Sequence, residues 1–127
     1  MSPRTVGYWA ITGLLAVALF GAGVGALTQQ ESLVEIMEHL GFPIYVGRIL
    51  GAWYVSAAVA FVVPGLPRVK EWAYAGVVFA MSGAFAAHLF AGDAIADWAP
   101  SLVLTSLAVA SYVLRPASRR LGGGSEV

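Results

Sequence analysis

The hydrophobic residues of this chain fall into four long runs separated by short polar segments. The runs cover residues 6–27, 44–63, 72–90 and 99–114. A helix rises about 1.5 Å per residue, so about 20 apolar residues cross the hydrocarbon core of a bilayer. The pattern therefore predicts an all-α protein, a four-helix transmembrane bundle formed by residues 1–120 as one domain. The glycine-rich segment 121–127 is predicted to be a disordered tail.

The segment between the first two runs has a different, amphipathic pattern. Its apolar residues recur at helical spacing, and its glutamates lie away from that stripe: Leu33, Ile36, Met37 and Leu40 against Glu31, Glu35 and Glu38. Thr28 and Glu31 match the S/T-x-x-E capping box, and Gly41 with Pro43 supplies a stop signal. We predict a short amphipathic helix over residues 29–40 that caps the bundle or lies on the membrane interface.

Charge is scarce and unevenly placed. Hydrophobic residues make up 59% of the chain and charged residues 11%, whereas soluble domains carry about 25% charged residues, so much of the surface must face lipid. The balanced net charge gives no indication of a nucleic-acid partner. Six of the seven basic residues fall on the side that holds both termini: Arg4, Arg68, Lys70, Arg115, Arg119 and Arg120. The positive-inside rule then predicts a multi-pass protein of the cytoplasmic (plasma) membrane with both termini in the cytoplasm.

Glycines predict where the helices pack closely. Gly21 and Gly25 form one small-x-x-x-small face and Gly47 and Gly51 a second, and Gly83 belongs to a weaker one. Such faces let helix backbones approach in lipid. They are expected to pack within the bundle, and the alternative is an interface with another subunit or a second copy.

Three polar residues are the candidate ligand-binding set. Arg48 is a charge inside the second run, Tyr45 precedes it by one turn, and His88 ends the third run at the same membrane depth. Together they could line an outer-leaflet pocket for a quinone carbonyl or a lipid head group. Two alternatives stay open: Arg48 snorkels or pairs with Glu38 or Asp93, and His88 bonds a backbone carbonyl.

Other chemistry finds little support in the sequence. The chain has no cysteine, which excludes thiol catalysis and iron–sulfur ligation, and it has no catalytic motif. We therefore predict no required cofactor and lean against an enzyme. His39 and His88 are poorly placed for a haem because His39 is on the surface helix. Glu35, Glu38 and His39 are a weak metal set on a solvated face, so no metal is predicted.

Read together, several stretches resemble the DoxX-like family of small bacterial and archaeal membrane proteins. They are Tyr8-Trp9, Thr12-Gly13-Leu14-Leu15-Ala16, His39-Leu40-Gly41-Phe42-Pro43 with Tyr45, Ile49-Leu50-Gly51-Ala52-Trp53, the loop from Pro64 to Gly76, His88-Leu89, Gly92-Asp93, and the stretch from Leu114 to Leu121. The resemblance covers nearly the whole chain. It departs from the family pattern at Tyr54 and Ala80, and around Gly25 and Ala26, where relatives often carry charged residues.

The resemblance implies a function in a membrane complex. The family takes its name from a membrane subunit of a thiosulfate:quinone oxidoreductase, and other relatives look like accessory subunits. We therefore expect an accessory or structural subunit of a larger membrane complex, with a redox complex among the candidates. The alternative is a quinone-linked oxidoreductase subunit with a ligand pocket near the outer leaflet. Expected partners are the lipid bilayer and other membrane subunits or further copies of the chain.

Overall fold

The computed structural model describes residues 1–120, which form five α-helices and a short C-terminal 3-10 turn. The helices are α1 (Pro3–Leu27), α2 (Glu31–Leu40), α3 (Ile44–Val62), α4 (Pro67–Phe90) and α5 (Ile95–Leu114), and the turn is Ala117–Arg119. All but α2 are long and apolar enough to cross a membrane. The all-α, four-span prediction is confirmed, whereas the predicted disordered tail lies outside the described residues.

The four long helices form a ring in the order α1, α3, α4, α5. Helix α1 packs against α3 and α5, α4 packs against the same two, and α2 lies against α3 and α1. An even number of spans puts the start of α1, the end of α5 and the α3–α4 turn at one end, here called the terminal end. The opposite end, here called the loop end, carries α2 and the α4–α5 loop.

Three long helices begin earlier than the hydrophobic pattern predicted. Helix α1 starts at Pro3 rather than at residue 6. Helix α4 starts at Pro67 rather than at residue 72, because a proline at the first helical position fits the helix and costs no hydrogen bond. Helix α5 starts at Ile95 rather than 99 and contains Pro100. In α4 and α5 the extra turn contains charged residues, so a run of apolar residues underestimates the length of the helix.

The capping box predicted for α2 is wrong. The Thr28 hydroxyl donates instead to the carbonyl oxygens of Val24 and Gly25, so this side chain closes the end of α1. The chain then reverses at Gln29, whose φ is +57°, and α2 begins at Glu31 without a side-chain cap. The amphipathic helix itself is confirmed. It ends at Gly41, which adopts the left-handed conformation that commonly closes helices.

Helices α1 and α3 approach each other closely through a glycine pair. A Cβ on Gly51 would lie 2.8 Å from the carbonyl oxygen of Gly23, so the two backbones touch where neither residue has a side chain. Of the other predicted packing glycines, Gly25 lies against Gln30 and Leu33, and Gly47 lies against Met37. Gly21 and Gly83 face open space, with no neighbouring atom of the described chain within 4 Å of such a Cβ.

The terminal end is held by polar contacts that link all four spans. Thr12 and Tyr74 each share a 2.6 Å hydrogen bond with the Ser111 hydroxyl, which joins α1, α4 and α5 in the interior. The Lys70 ammonium is almost fully buried and donates to the carbonyl oxygens of Val63 and Gly65 at 2.6 Å. These bonds close the last turn of α3, where unpaired carbonyls and the helix dipole favour a cation.

Two arginines extend this network at the end of α5. Arg115 forms an ion pair with Glu71, and its guanidinium lies 3.7 Å from the centre of the Tyr112 ring. Arg119 donates to the Tyr8 hydroxyl at 2.8 Å and to the carbonyl oxygens of α3. Lys70, Arg115 and Arg119 therefore all have protein partners within the part of the chain that the structure describes.

A candidate ligand cavity at the loop end

An apolar cavity of about 230 Å³ lies between the spans at the loop end, beneath α2. Every helix contributes to its lining, with Ala22 and Ala26 from α1; Leu33, Val34, Ile36 and Met37 from α2; Ile44, Gly47, Leu50 and Tyr54 from α3; Met81, Ala84 and His88 from α4; and Asp97, Pro100, Ser101 and Leu104 from α5. Gln29, before α2, completes the lining. Small residues on α1 and α3 leave this space open, and the apolar stripe of α2 covers it.

Three side chains form a hydrogen-bonded cluster at the edge of this cavity. One carboxylate oxygen of Asp93 lies 2.6 Å from Nδ1 of His88, and the other lies 2.6 Å from Nε2 of His39. The side chains of Asp93 and His88 are about nine-tenths buried, whereas that of His39 is 55% exposed. The cluster therefore links helix α2, which covers the cavity, to the end of α4.

Local backbone geometry explains how Asp93 reaches both histidines. Gly92 adopts a left-handed φ of +76°, which a residue with a side chain rarely adopts, and this reverses the chain directly after α4. The backbone N–H of Asp93 then donates to the carbonyl oxygen of His88 at 3.0 Å. The turn thus folds the Asp93 carboxylate back onto the histidine that ends the helix.

Electrostatics favour an ionised Asp93. Hydrogen bonds from His88 first and then from His39 lower the pKa of this carboxyl below its ordinary value, although burial opposes them. A carboxylate that accepts at both oxygens fixes the tautomers of both rings, because each nitrogen that faces it must carry a proton. The bond from Nδ1 of His88 leaves its Nε2 as the ring nitrogen available to another partner.

The cavity and the cluster together can hold an apolar molecule by a polar head. Nε2 of a neutral His88 accepts a hydrogen bond from a hydroxyl, and a protonated His88 donates one to a carbonyl. The Tyr54 side chain, half-buried farther down the cavity, adds one more polar group. The rest of the surface is almost entirely hydrocarbon, which is typical of a small-molecule site with few polar contacts.

The three residues predicted to bind a ligand are separated in the structure. His88 lines the cavity, but Tyr45 is 65% exposed and Arg48 is also exposed, and neither contributes to the lining. Ile44 and Gly47 are the residues of this turn that face inward. Tyr45 and Arg48 each follow one of them by one position, or about 100° around the helix, and so point away. Ligand binding by Tyr45 or Arg48 stays a prediction.

Two of the alternatives for these side chains are not found in the described chain, whereas snorkelling of the exposed Arg48 stays a prediction. Asp93 pairs with the two histidines rather than with Arg48, and the His88 ring bonds Asp93 rather than a backbone carbonyl. Residues 1–120 contain no group of three or more His, Asp or Glu side chains arranged to hold a metal ion. The sequence identifies His88 as a site residue but does not predict its hydrogen bond to Asp93 or the link through Asp93 to His39. The Gly92-Asp93 dipeptide after His88 was the available signal, since glycine there permits the reversal.

Comparison with known proteins places the chain in a family. The model of the DoxX-like family matches residues 10–111, which include α2, α3, α4, the cluster and most of α1 and α5. The chain belongs to the DoxX-like family. No curated protein and no solved structure matches it. This DoxX-like protein is therefore a membrane protein whose cavity has to be interpreted from its own residues.

Proposed function

We propose that this DoxX-like protein binds a quinone in the loop-end cavity as an accessory subunit of a larger membrane redox complex. The observation that carries the proposal is the His88–Asp93 pair, buried at the edge of an otherwise apolar cavity. A quinone has an apolar body and two oxygens that alternate between carbonyl and hydroxyl. His88 suits both forms, because Nε2 accepts from a hydroxyl when neutral and donates to a carbonyl when protonated.

The charges around the cavity favour an uncharged head group. Asp97 lines the cavity and Asp93 lies at its edge, so an anionic head such as a fatty-acid carboxylate would meet like charge. Arg48 is the one Lys or Arg residue at the loop end, and it does not line the cavity. A neutral quinone or quinol avoids that repulsion, and its lipid solubility brings it to the site through the bilayer.

Arg48 supports the accessory part of the proposal. It is exposed as the fifth residue of α3 and takes part in none of the ion pairs found in the described chain. A guanidinium at this depth requires partners for its five donors. We propose that lipid phosphates or an acidic side chain of another subunit supply them, consistent with a subunit that works beside a redox partner.

The quinone proposal is tested by thermal unfolding of the purified chain in mild detergent. Decylubiquinone at ten times its dissociation constant should stabilise the folded state by about 1.4 kcal/mol and raise Tm. His88→Ala should abolish this rise, because it removes the hydrogen-bonding head-group contact. Phe90→Ala is the matched control, since Phe90 is two residues away on α4 but is 91% exposed and outside the cavity.

The outcomes separate a site from general detergent effects. A rise that survives in Phe90→Ala and vanishes in His88→Ala supports the proposal. An unchanged Tm in the wild type, or an equal rise in both variants, would contradict it and favour a structural accessory subunit without a quinone site.

We also propose that the terminal end lies in the cytoplasm, because six of the seven basic residues fall there. The chain is free of cysteine, so single cysteines can report sidedness. Ser118→Cys at the terminal end should resist a membrane-impermeant thiol reagent in intact cells, and Ser32→Cys at the loop end should react; both serines are exposed. The reverse labelling pattern would invert the topology.

A further inference from the structure

A second apolar space runs along the outside of the bundle between α3 and α4. This groove has a volume of about 450 Å³ and is lined by residues from Trp53 to Ala60 on α3 and from Val69 to Ala80 on α4. It extends along α4 from Val69 to Ala80, or roughly 16 Å along the helix axis. Two large side chains that line it, Trp53 and Trp72, are about two-thirds exposed.

The groove and the cavity meet at one residue. Tyr54 contributes to the lining of both the cavity under α2 and the groove that opens toward lipid. The cavity of 230 Å³ is smaller than the roughly 300–1,000 Å³ of typical small-molecule sites, whereas the groove adds enough space to reach that range. The cavity alone therefore suits a head group and not a whole lipid-soluble molecule.

We propose that the groove holds the hydrocarbon tail of the same quinone whose head group occupies the cavity, with Tyr54 at the junction. This inference rests on the proposed function and names the ligand class more closely, as a quinone with one long apolar tail. The tail leaves the cavity past Tyr54 and follows α3 and α4 toward the terminal end. A two-chain lipid fits less well, since the further space lined by α4 and α5 shares no residue with the cavity or the groove.

Binding of two quinones to the full chain in detergent tests the tail site. Decylubiquinone has the tail, and the same dimethoxy-methyl-benzoquinone ring without it serves as the head-group probe. Gly76→Phe fills the groove at an exposed position where a Cβ meets no neighbouring atom of the described chain within 4 Å. It should weaken decylubiquinone binding about tenfold, the effect of two methylene groups losing their burial, and leave the tail-less ring unaffected.

Gly21→Phe is the matched control, because Gly21 also faces open space but lies outside both the cavity and the groove. It should change neither affinity. His88→Ala should weaken both quinones. Each ligand is compared with itself across variants, so its partitioning into detergent cancels.

The results distinguish this inference from the function on which it rests. If both quinones bind and Gly76→Phe weakens both equally or neither, the tail site is wrong and the head-group site stands. If neither quinone binds to the wild type, both proposals are wrong.

A second measurement leaves the groove intact. A decylubiquinone with bromine on its tail should quench tryptophan fluorescence saturably, because Trp53 and Trp72 line the groove. The quenching should be lost in the double variant Trp53→Phe, Trp72→Phe, which keeps Trp9 and Trp98. Quenching that persists in that variant would place the tail elsewhere and overturn the inference.

Discussion

The two ends of the bundle use polar residues in opposite ways. At the terminal end, Lys70 and Arg119 donate to carbonyl oxygens at the end of α3, and Arg115 pairs with Glu71. At the loop end, Asp93 holds His88 at the edge of an apolar cavity and leaves one ring nitrogen available. The terminal end is filled by its own side chains, and the loop end keeps both space and an available polar atom.

This difference indicates which end can bind a small molecule. A buried cation is stable only when its donors are satisfied, and at the terminal end helix carbonyls and aromatic rings do that. Such contacts hold the helices together, and the side chains that make them use their hydrogen-bonding groups within the protein rather than for a ligand. A histidine with one nitrogen held by a carboxylate is positioned and still able to bond. We therefore expect substitutions at the terminal end to affect stability and those at the loop end to affect binding.

The largest expected effect on stability comes from Arg115→Ala. It leaves Glu71 without its partner in a largely buried position and should cost about 3 kcal/mol, the lower end of the range for broken buried ion pairs. Arg48→Ala is the matched arginine substitution at the exposed loop-end position and should change the free energy of unfolding by less than about 0.5 kcal/mol. Denaturant titration in mixed micelles measures both. An equal loss of unfolding free energy in the two variants would contradict the proposed difference between the two ends.

A smaller loss is expected from Ser111→Ala. The hydroxyl of Ser111 is bonded to Thr12 and Tyr74, and its removal leaves both hydroxyls without a partner in the interior. We expect a cost of about 1–2 kcal/mol. Ser106→Ala on the same helix is the control, because its hydroxyl bonds only a carbonyl of its own helix. The same titration should show Ser106→Ala close to the wild type, and a neutral Ser111→Ala would mean that the network does not hold the spans.

The smallest effect concerns pH at the loop end. The pKa of Asp93 is lowered in the folded state, so its contribution to stability is fully present above about pH 4, the ordinary aspartate value. That contribution is lost as the pH falls through the lowered pKa. Thermal scans from neutral to strongly acidic pH should therefore show a steeper acid loss in the wild type than in Asp93→Asn. Superimposable profiles would show that the cluster does not stabilise this end.

The four-span fold follows from the sequence because lipid selects for long apolar runs. Helix ends were less predictable. The first turns of α4 and α5 contain charged residues and lie where polar side chains can reach water, so hydropathy stops short of Pro67 and Ile95. Thr28 matched a capping motif, but a threonine hydroxyl can bond the helix before it as well as the one after it. Only the chain reversal at Gln29 decides between them.

The candidate site was only partly predictable. Its His88 stands out as an ionisable residue at the end of a span. On α3, however, the residues that face the cavity are Ile44 and Gly47, each one position before the predicted Tyr45 and Arg48. Hydropathy cannot tell which face of a span points inward, because lipid and the protein core are both apolar. For the same reason Gly23, which contacts Gly51, was not predicted, because Gly21 and Gly25 on either side of it fit the small-residue motif.

Quinone affinity in Asp93→Asn and Ser111→Ala tests the division of roles between the two ends most directly. Asp93→Asn keeps the shape of the side chain but removes the charge that holds His88. Ser111→Ala removes a buried bond at the other end. For decylubiquinone we expect Kd to rise about tenfold in Asp93→Asn, the difference of about 1.4 kcal/mol between a charge-assisted and a neutral hydrogen bond. Kd in Ser111→Ala should match the wild type, although that variant is less stable. An unchanged Kd in Asp93→Asn, or an equal rise in both variants, would contradict the account.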